Sequence, residues 1–235
     1  MGIVEFDLNV ELVKPQSLGD KVADIIRDRI IMGEYLPGMR LTEDGFAKAL
    51  GISRPCVKEA FLILESEGLV TRRVRNKHTE VVAFDKQDIK EIVSLRASIE
   101  ILCAQFLIED GTIPEDDLRS HLDMLVPLRD AGMPSKDHVL ADLAFHEVIV
   151  MASGNSRAIA VWKSLESQMK TIMFSVIRSY PNEVTKTVQT HSEIMNAMIS
   201  QDVDLVTKLI KEHVMGNLSF LIRSFEREAI EDAGS

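Results

Sequence analysis

Two cysteines, Cys56 and Cys103, are all that the 235 residues contain. That is too few for a disulfide framework and suits a reducing compartment. Aromatic side chains are also scarce, at 5% with a single Trp, while there are eleven methionines. This balance favours packed helices over a sandwich of aromatic-rich strands. No apolar run approaches the ~20 residues of a membrane span, and the best stretch, Ile101 to Ile108, is interrupted by Gln105. The basic start of a secretion signal is missing, because Glu5, Asp7 and Glu11 precede the first basic residue, Lys14. Phe6 breaks the myristoylation pattern that Met1-Gly2 opens. There is no internal repeat of 20–50 residues and no low-complexity tract. These absences predict a soluble cytoplasmic protein with no membrane segment. The composition, 46% apolar and 27% charged, excludes disorder, and the length allows two modest domains.

The net charge of −10 is unevenly spread: residues 1–84 carry −1 and residues 85–235 carry −9. Between Lys48 and His78 lie seven basic residues, Lys48, Arg54, Lys58, Arg72, Arg73, Arg75 and Lys77, against Glu59, Glu65 and Glu67. A local excess of four positive charges on an acidic chain is what a small DNA-reading surface carries, although a solvated basic face has the same composition.

Periodicity divides the chain near Ala83-Phe84-Asp85. In the first part Val22, Ile25, Ile26 and Ile30 recur at helical spacing from about Leu18 to Gly33, and Leu36-Pro37-Gly38 turns the chain. A short helix from Glu43 to Leu50 stops at Gly51. A second starts at Ser53, a good N-cap, with Pro55 in its first turn, and ends at Gly68. Leu69-Val70 and Val81-Val82 then flank the basic stretch Arg72 to Thr79, which reads as a β-ribbon. Helix, helix, tight turn, helix, ribbon is the order of a winged helix-turn-helix. The second part predicts helices near 87–110, 114–131, 136–152, 155–180, 184–200 and 202–228, with Pro127 kinking or shortening the second of them. The expected fold is therefore mainly α: a winged helix-turn-helix at 1–84, with an arm at 1–16, followed by an antiparallel all-helical bundle at 85–235.

Two constellations carry chemistry. In Leu50-Gly51-Ile52-Ser53-Arg54, Gly51 allows one helix to cross the next, while Ser53, Arg54 and Lys58 present polar groups from the first turns of the second helix. The Arg54 fork suits guanine O6 and N7, and Lys58 a phosphate or a guanine. Arg73, Arg75 and Lys77 in the ribbon would add phosphate or minor-groove contacts, unless the ribbon merely packs its valines and Phe84 on the second domain. The other constellation is Asp142 and His146, which leave one helix face a turn apart, with His191 and His213 on two later helices. Three imidazoles and a carboxylate suit a divalent transition metal, with an open position for an effector oxygen. An Asp–His pair at this spacing is equally an ordinary hydrogen bond on a helix surface.

Residues 17–84 resemble the DNA-binding domain of the GntR family of bacterial transcription regulators. The matching residues are Gly33 to Leu41, Phe46-Ala47, Leu50 to Arg54, Val57-Lys58-Glu59-Ala60, Leu64, and Glu67 to Val70. The chain departs from the family's pattern in four places. Pro55-Cys56 replaces Thr-Pro, Lys58 stands where Arg is usual, the wing lacks an Arg-Gly pair, and Asp44 occupies a place where some members carry a DNA-contacting Arg. These departures bear on operator sequence more than on DNA binding.

Residues 86–228 resemble the all-helical FCD effector domain of the FadR subfamily. The resemblance rests on Arg96-x-x-x-Glu100, Asp142-x-x-x-His146, Ser153-Gly154-Asn155, His191-x-x-Ile194-x-x-Ala197-Met198, Asp202 and His213. It implies a metal at Asp142, His146, His191 and His213, with zinc first and nickel or manganese as alternatives. It also implies a small organic acid completing the metal's shell. Arg96 would pair that acid's carboxylate unless it is spent on Glu100, with Arg178 and Asn155 as further effector contacts; Asn155 also reads as a helix cap. The resulting expectation is a homodimeric repressor on double-stranded DNA with a palindromic operator, released by a carboxylate metabolite. A metal-responsive regulator of the same fold is the alternative. A metal-dependent hydrolase is disfavoured, because His146-Glu147-Val148-Ile149-Val150 misses H-E-x-x-H and no phosphate loop or G-x-S-x-G occurs.

Overall fold

The computed structural model describes residues 16–73, 78–130, 136–179 and 186–216, with Leu218 and Ile222; for residues 129 and 176–179 it describes the backbone alone. Arg75, Lys77 and most of the N-terminal arm lie outside these residues, as does the side chain of Arg178.

Helix α1, Leu18–Ile31, begins with a capping box: Ser17 accepts from the Asp20 N–H, and the Asp20 carboxylate accepts from the Ser17 N–H. It buries Val22, Ala23, Ile26 and Ile30 against α3, Arg54–Ser66, whose buried face is Val57, Ala60, Phe61 and Leu64. Between them α2, Glu43–Leu50, starts at Thr42 and ends at Gly51, whose φ of +67° makes the left-handed turn that a side chain would strain. A three-stranded antiparallel sheet in the order β1-β3-β2 closes this unit, with β1 at Arg40–Leu41, β2 at Val70–Arg73 and β3 at His78–Val81. Val70 pairs with Val81 and both are buried, so the ribbon's valines complete the core of the winged unit. Phe84, beyond the ribbon, packs on the other core.

The second core is a bundle: α4 Lys86–Asp110, α5 Glu115–Asp130, α6 Lys136–Ala152, α7 Ser156–Ser179, α8 Thr187–Ile199 and α9 Val203–Gly216. Helix α4 opens on an Asp85–Asp88 capping box and packs against α6, α7, α8 and α9. Its buried residues, among them Ile89, Val93, Ala97, Ile99, Cys103 and Ala104, cover about half of its circumference, and Arg96 and Glu100 stand in the middle of that face and are enclosed with it. Helix α5 runs three residues past Pro127, so the proline does not shorten it there; one missing N–H is outweighed by the packing of Leu118, Leu122 and Leu125. Among the described residues, no helix is long and apolar enough to cross a membrane.

The two cores meet along α7. Glu67, the C-cap of α3, takes a two-pronged grip from Arg27 of α1 at 2.6 and 2.7 Å and accepts from Ser167 of α7 at 3.2 Å. Burial opposes the charge of Arg27, but the Glu67 and Asp24 carboxylates more than offset it and raise its pKa. Ile31 of α1 belongs to the core of the bundle.

Candidate metal centre and nucleic-acid interface

Three helices of the bundle bring Asp142, His146, His191 and His213 together. One ligand atom from each lies within 4.8 Å of all the others. His191 Nε2 is 3.2 Å from His146 Nε2, 3.1 Å from His213 Nε2 and 3.2 Å from Asp142 Oδ1, while His213 Nε2 stands 3.3 Å from the same oxygen. Most of the cluster is enclosed: His146 and His191 are fully buried, Asp142 is 7% exposed and His213 is partly buried. A single imidazole nitrogen offers one proton or one lone pair, so three partners around His191 Nε2 cannot all be satisfied by hydrogen bonds. A cation satisfies them together. Donors ~2.0–2.2 Å from a zinc ion stand roughly 3.3–3.6 Å apart in a tetrahedral array and roughly 2.8–3.1 Å apart in an octahedral one, and the four separations given above, from 3.1 to 3.3 Å, span the gap between the two. The residues fit a transition metal.

Electrostatics keep Asp142, His146 and His191 in their ligating forms. Burial pushes the pKa of His191 down from 6.5 to about 3, against the pull of Asp142, and burial likewise lowers His146 against Glu100. Asp142 is held well below the usual carboxylate range: burial raises it, but hydrogen bonds with His191 and His213 outweigh that. Phe145 stacks on His191 with ring centroids 4.2 Å apart and planes within 6°, which fixes the ring's orientation.

Around this centre stands a charged layer. Arg96 donates from Nε to Glu100 Oε1 at 2.8 Å and contacts Met173 Sδ at 3.5 Å. Its Nη2 approaches Asp142 Oδ2 at 3.6 Å without forming a hydrogen bond and has no other partner. Nε is therefore spent on Glu100, as one of the two readings of Arg96 has it, while Nη2 makes no hydrogen bond and stays in ion-pair range of Asp142. Burial works against its charge, but Glu100 and Asp142 outweigh it and the guanidinium stays ionised. Glu100 is fully buried, and Trp162 Nε1 also donates to its Oε1, at 3.2 Å. Sequence reasoning gave Glu100 only its neighbour Arg96 and gave Trp162 nothing. Asn155 accepts the Ala158 N–H at 3.1 Å and so caps α7.

On the winged unit, Ser53, Arg54 and Lys58 are exposed on the first turns of α3, opposite its buried face. Ser53 makes no capping bond; its hydroxyl contacts Cys56 Sγ at 3.1 Å. Arg54 Nε pairs with Asp44 Oδ1 of α2 at 2.5 Å, both side chains being about two-thirds exposed. Arg73 pairs with Glu80, its neighbour across the ribbon.

Comparison with known proteins decides the family. The FCD domain matches residues 91–216, more than half of the chain, and the bacterial regulatory proteins of the gntR family match residues 18–77. The chain belongs to the GntR family of bacterial regulators and carries an FCD domain. This regulator is 26% identical over 204 residues to the gluconate operon transcriptional repressor of Bacillus licheniformis, covering 84% of this chain and 82% of that one. It is 28% identical to the putative L-lactate dehydrogenase operon regulatory protein of Escherichia coli K12, covering 92% and 89%. The solved structure of E. coli McbR/YncC has the same fold, with a TM-score of 0.73 at 19% identity over 89% of this chain and 99% of that one. Family and relatives are transcription regulators, not enzymes.

Proposed function

We propose that this regulator is an operator-bound repressor whose DNA affinity is set by a small organic acid bound beside a divalent metal in the bundle. The observation that carries the reading is the convergence of three imidazole Nε2 atoms and one carboxylate oxygen in a largely buried space. Asp142, His146, His191 and His213 would hold the ion, zinc first, with nickel or manganese suited to the same donors. When bound, the ion supplies a Lewis-acidic cation to which an effector carboxylate can attach. Arg96 supports an acid over metal as the signal, because its buried Nη2, which makes no hydrogen bond, offers the kind of donor that a carboxylate satisfies. Arg178 is retained as a second effector contact. Asn155 serves its helix.

Ser53, Arg54 and Lys58 would read one half-site of a palindromic duplex, with Arg73, Arg75 and Lys77 on the flanking backbone. A second copy would read the other half. Leu95, Leu102 and Phe106 expose apolar surface at spacings of seven and four on α4, and this suits packing between two copies. The domains would divide at Phe84-Asp85, where the winged core has closed at Val81 and Asp85 caps α4.

The test is metal analysis of protein purified without chelator, followed by duplex-DNA titrations with and without candidate carboxylates. Stoichiometric metal and a carboxylate-dependent loss of DNA affinity are expected. A response to added Zn2+ alone, with no effect of any acid, would favour the metal-responsive reading.

A further inference from the structure

Glu100 contributes no atom to the metal-ligand cluster, yet it faces that cluster with one oxygen and the protein's interior with the other. Oε1 accepts from Arg96 Nε at 2.8 Å and from Trp162 Nε1 at 3.2 Å. Two donors from different helices thus fix the plane of the carboxylate. Oε2 lies 2.8 Å from His146 Nδ1. The ring N–H is not in line for a hydrogen bond, but both atoms are sealed from water and neither has any other partner. A proton on Nδ1 is therefore shared with Glu100 or with nothing.

This juxtaposition decides what His146 can offer. A neutral imidazole carries its proton on one nitrogen only. With the proton on Nδ1, the hydrogen lies beside the carboxylate oxygen, off the line between the two atoms, and the Nε2 lone pair is left for His191 Nε2 and the space where the ligands converge. With the proton on Nε2, the Nδ1 lone pair would oppose a carboxylate oxygen at 2.8 Å in a dry interior, and His146 would present a hydrogen where a ligand is needed. His191 has no such guide: its Nδ1 is buried without a partner, and its ring is held by stacking on Phe145.

We propose that Glu100 is a positioning residue, which orders His146 as the Nδ1–H tautomer so that Nε2 is presented to a divalent cation. The inference rests on the metal reading for its purpose, but the tautomer itself can be measured without metal. Partners that orient a ligating histidine in this way typically change metal affinity 10–100-fold. A merely structural Glu100, present to neutralise buried Arg96, would affect stability and leave the tautomer alone.

The experiment uses the full chain. Ring nitrogen chemical shifts of histidine-labelled, metal-free protein report the His146 tautomer, and Zn2+ titration calorimetry reports affinity. In the wild type, Nδ1–H is expected at His146; finding Nε2–H there overturns the proposal with no variant needed. Glu100→Gln keeps the volume, but its amide cannot accept from Arg96 and Trp162 on one atom and also present an acceptor to His146. Mixed tautomers at His146 and Zn2+ binding weakened 10–100-fold are expected. Trp162→Phe, which removes one orienting donor and keeps the carboxylate, is expected to retain Nδ1–H. A pure Nδ1–H signal with unchanged Zn2+ affinity in Glu100→Gln overturns the proposal. Absence of Zn2+ binding by the wild type would count against the metal reading alone, since the tautomer still decides the role of Glu100.

Discussion

Gln168 of α7 donates its side-chain amide to the backbone carbonyl of Glu67 at 2.9 Å, joining the bundle to the residue that ends α3. Gly68 makes this approach possible. Its φ is +69°, and a Cβ there would stand 2.5 Å from Gln168 Nε2. Gly68→Ala therefore faces two costs, ~1–2 kcal/mol of left-handed strain and the displacement of Gln168. In the Gln168→Ala background only the strain should remain, so thermal unfolding of the two single variants and the double variant should be non-additive. Strict additivity would show that the amide bond does not link the two units. Helix α7 also carries Trp162, which touches Glu100 beside the candidate metal centre. Helix α7 thus connects the candidate metal centre, through Trp162, to the end of α3, through Gln168.

The exposed Arg54–Asp44 pair leads to a prediction about DNA. Arg54→Ala should cost about 1–3 kcal/mol on duplexes selected by the wild type from a random library, and should relax the selected sequence. Lys58→Ala should weaken all duplexes more evenly and reduce the salt slope by roughly one unit, the mark of a phosphate contact. Asp44→Ala removes a negative charge from this surface and releases Arg54, so non-specific affinity should rise. Unchanged sequence selection by Arg54→Ala would remove it from the reading surface.

Much of the winged unit was legible in the sequence because its boundaries are chemical: Gly51 and Gly68, read as helix stops, take left-handed turns, although Ser53, read as a cap, makes no capping bond. Strand β1 escaped because two residues, Arg40 and Leu41, carry no periodicity and owe their strand form to pairing with Glu80 and Thr79. In the bundle, spacing put Asp142 and His146 on one face, but the bonds that define the cluster run across helices, from Asp142 to His191 and His213. Glu100 was read only as an intrahelical partner of Arg96 at i, i+4, whereas Ile89, Val93, Cys103 and Leu107 share its side of α4 and already marked that face as buried. An ion pair in the middle of a buried face is itself buried. Trp162 had no such signal, since its partner became visible only once α4 and α7 were packed.

The buried groups also fix the direction of the acid response. His191 has its pKa lowered from 6.5 to about 3. Glu100 is brought from 4.5 to about 2, because burial, which would raise it, is outweighed by the Arg96 guanidinium and by the contact with His146. Asp142 is lowered in the same sense. In each case the folded state binds fewer protons than the unfolded chain, so the contribution is full above the unfolded value and is lost as pH falls through the folded one. For His191 the loss runs from 6.5 to about 3, and for Glu100 from 4.5 to about 2. Metal-free protein should therefore show a Tm that falls steadily from pH 7 to pH 4. A flat Tm over that range would mean that these groups are not buried together.

Removal of one ligand should separate the two units functionally. His213 is the most accessible member of the cluster, with a side chain 13% exposed, so truncating it leaves a smaller sealed void than truncating His146 or His191. Asp142 keeps its bond with His191, and the core of the winged unit, from Val22 to Val81, contains no residue of α9. His213→Ala should thus fold, bind duplex DNA with wild-type affinity in the absence of effector, and lose stoichiometric metal. Any response to a carboxylate should vanish with it, because the acid would then face Arg96 without a cation. A coupling between metal-site ligand and DNA is of order 1–3 kcal/mol, so the wild type should shift its DNA affinity by roughly 5–150-fold and the variant not at all. A metal-free His213→Ala protein that still released DNA on adding the acid would place the effector elsewhere, on Arg96 alone or outside the bundle.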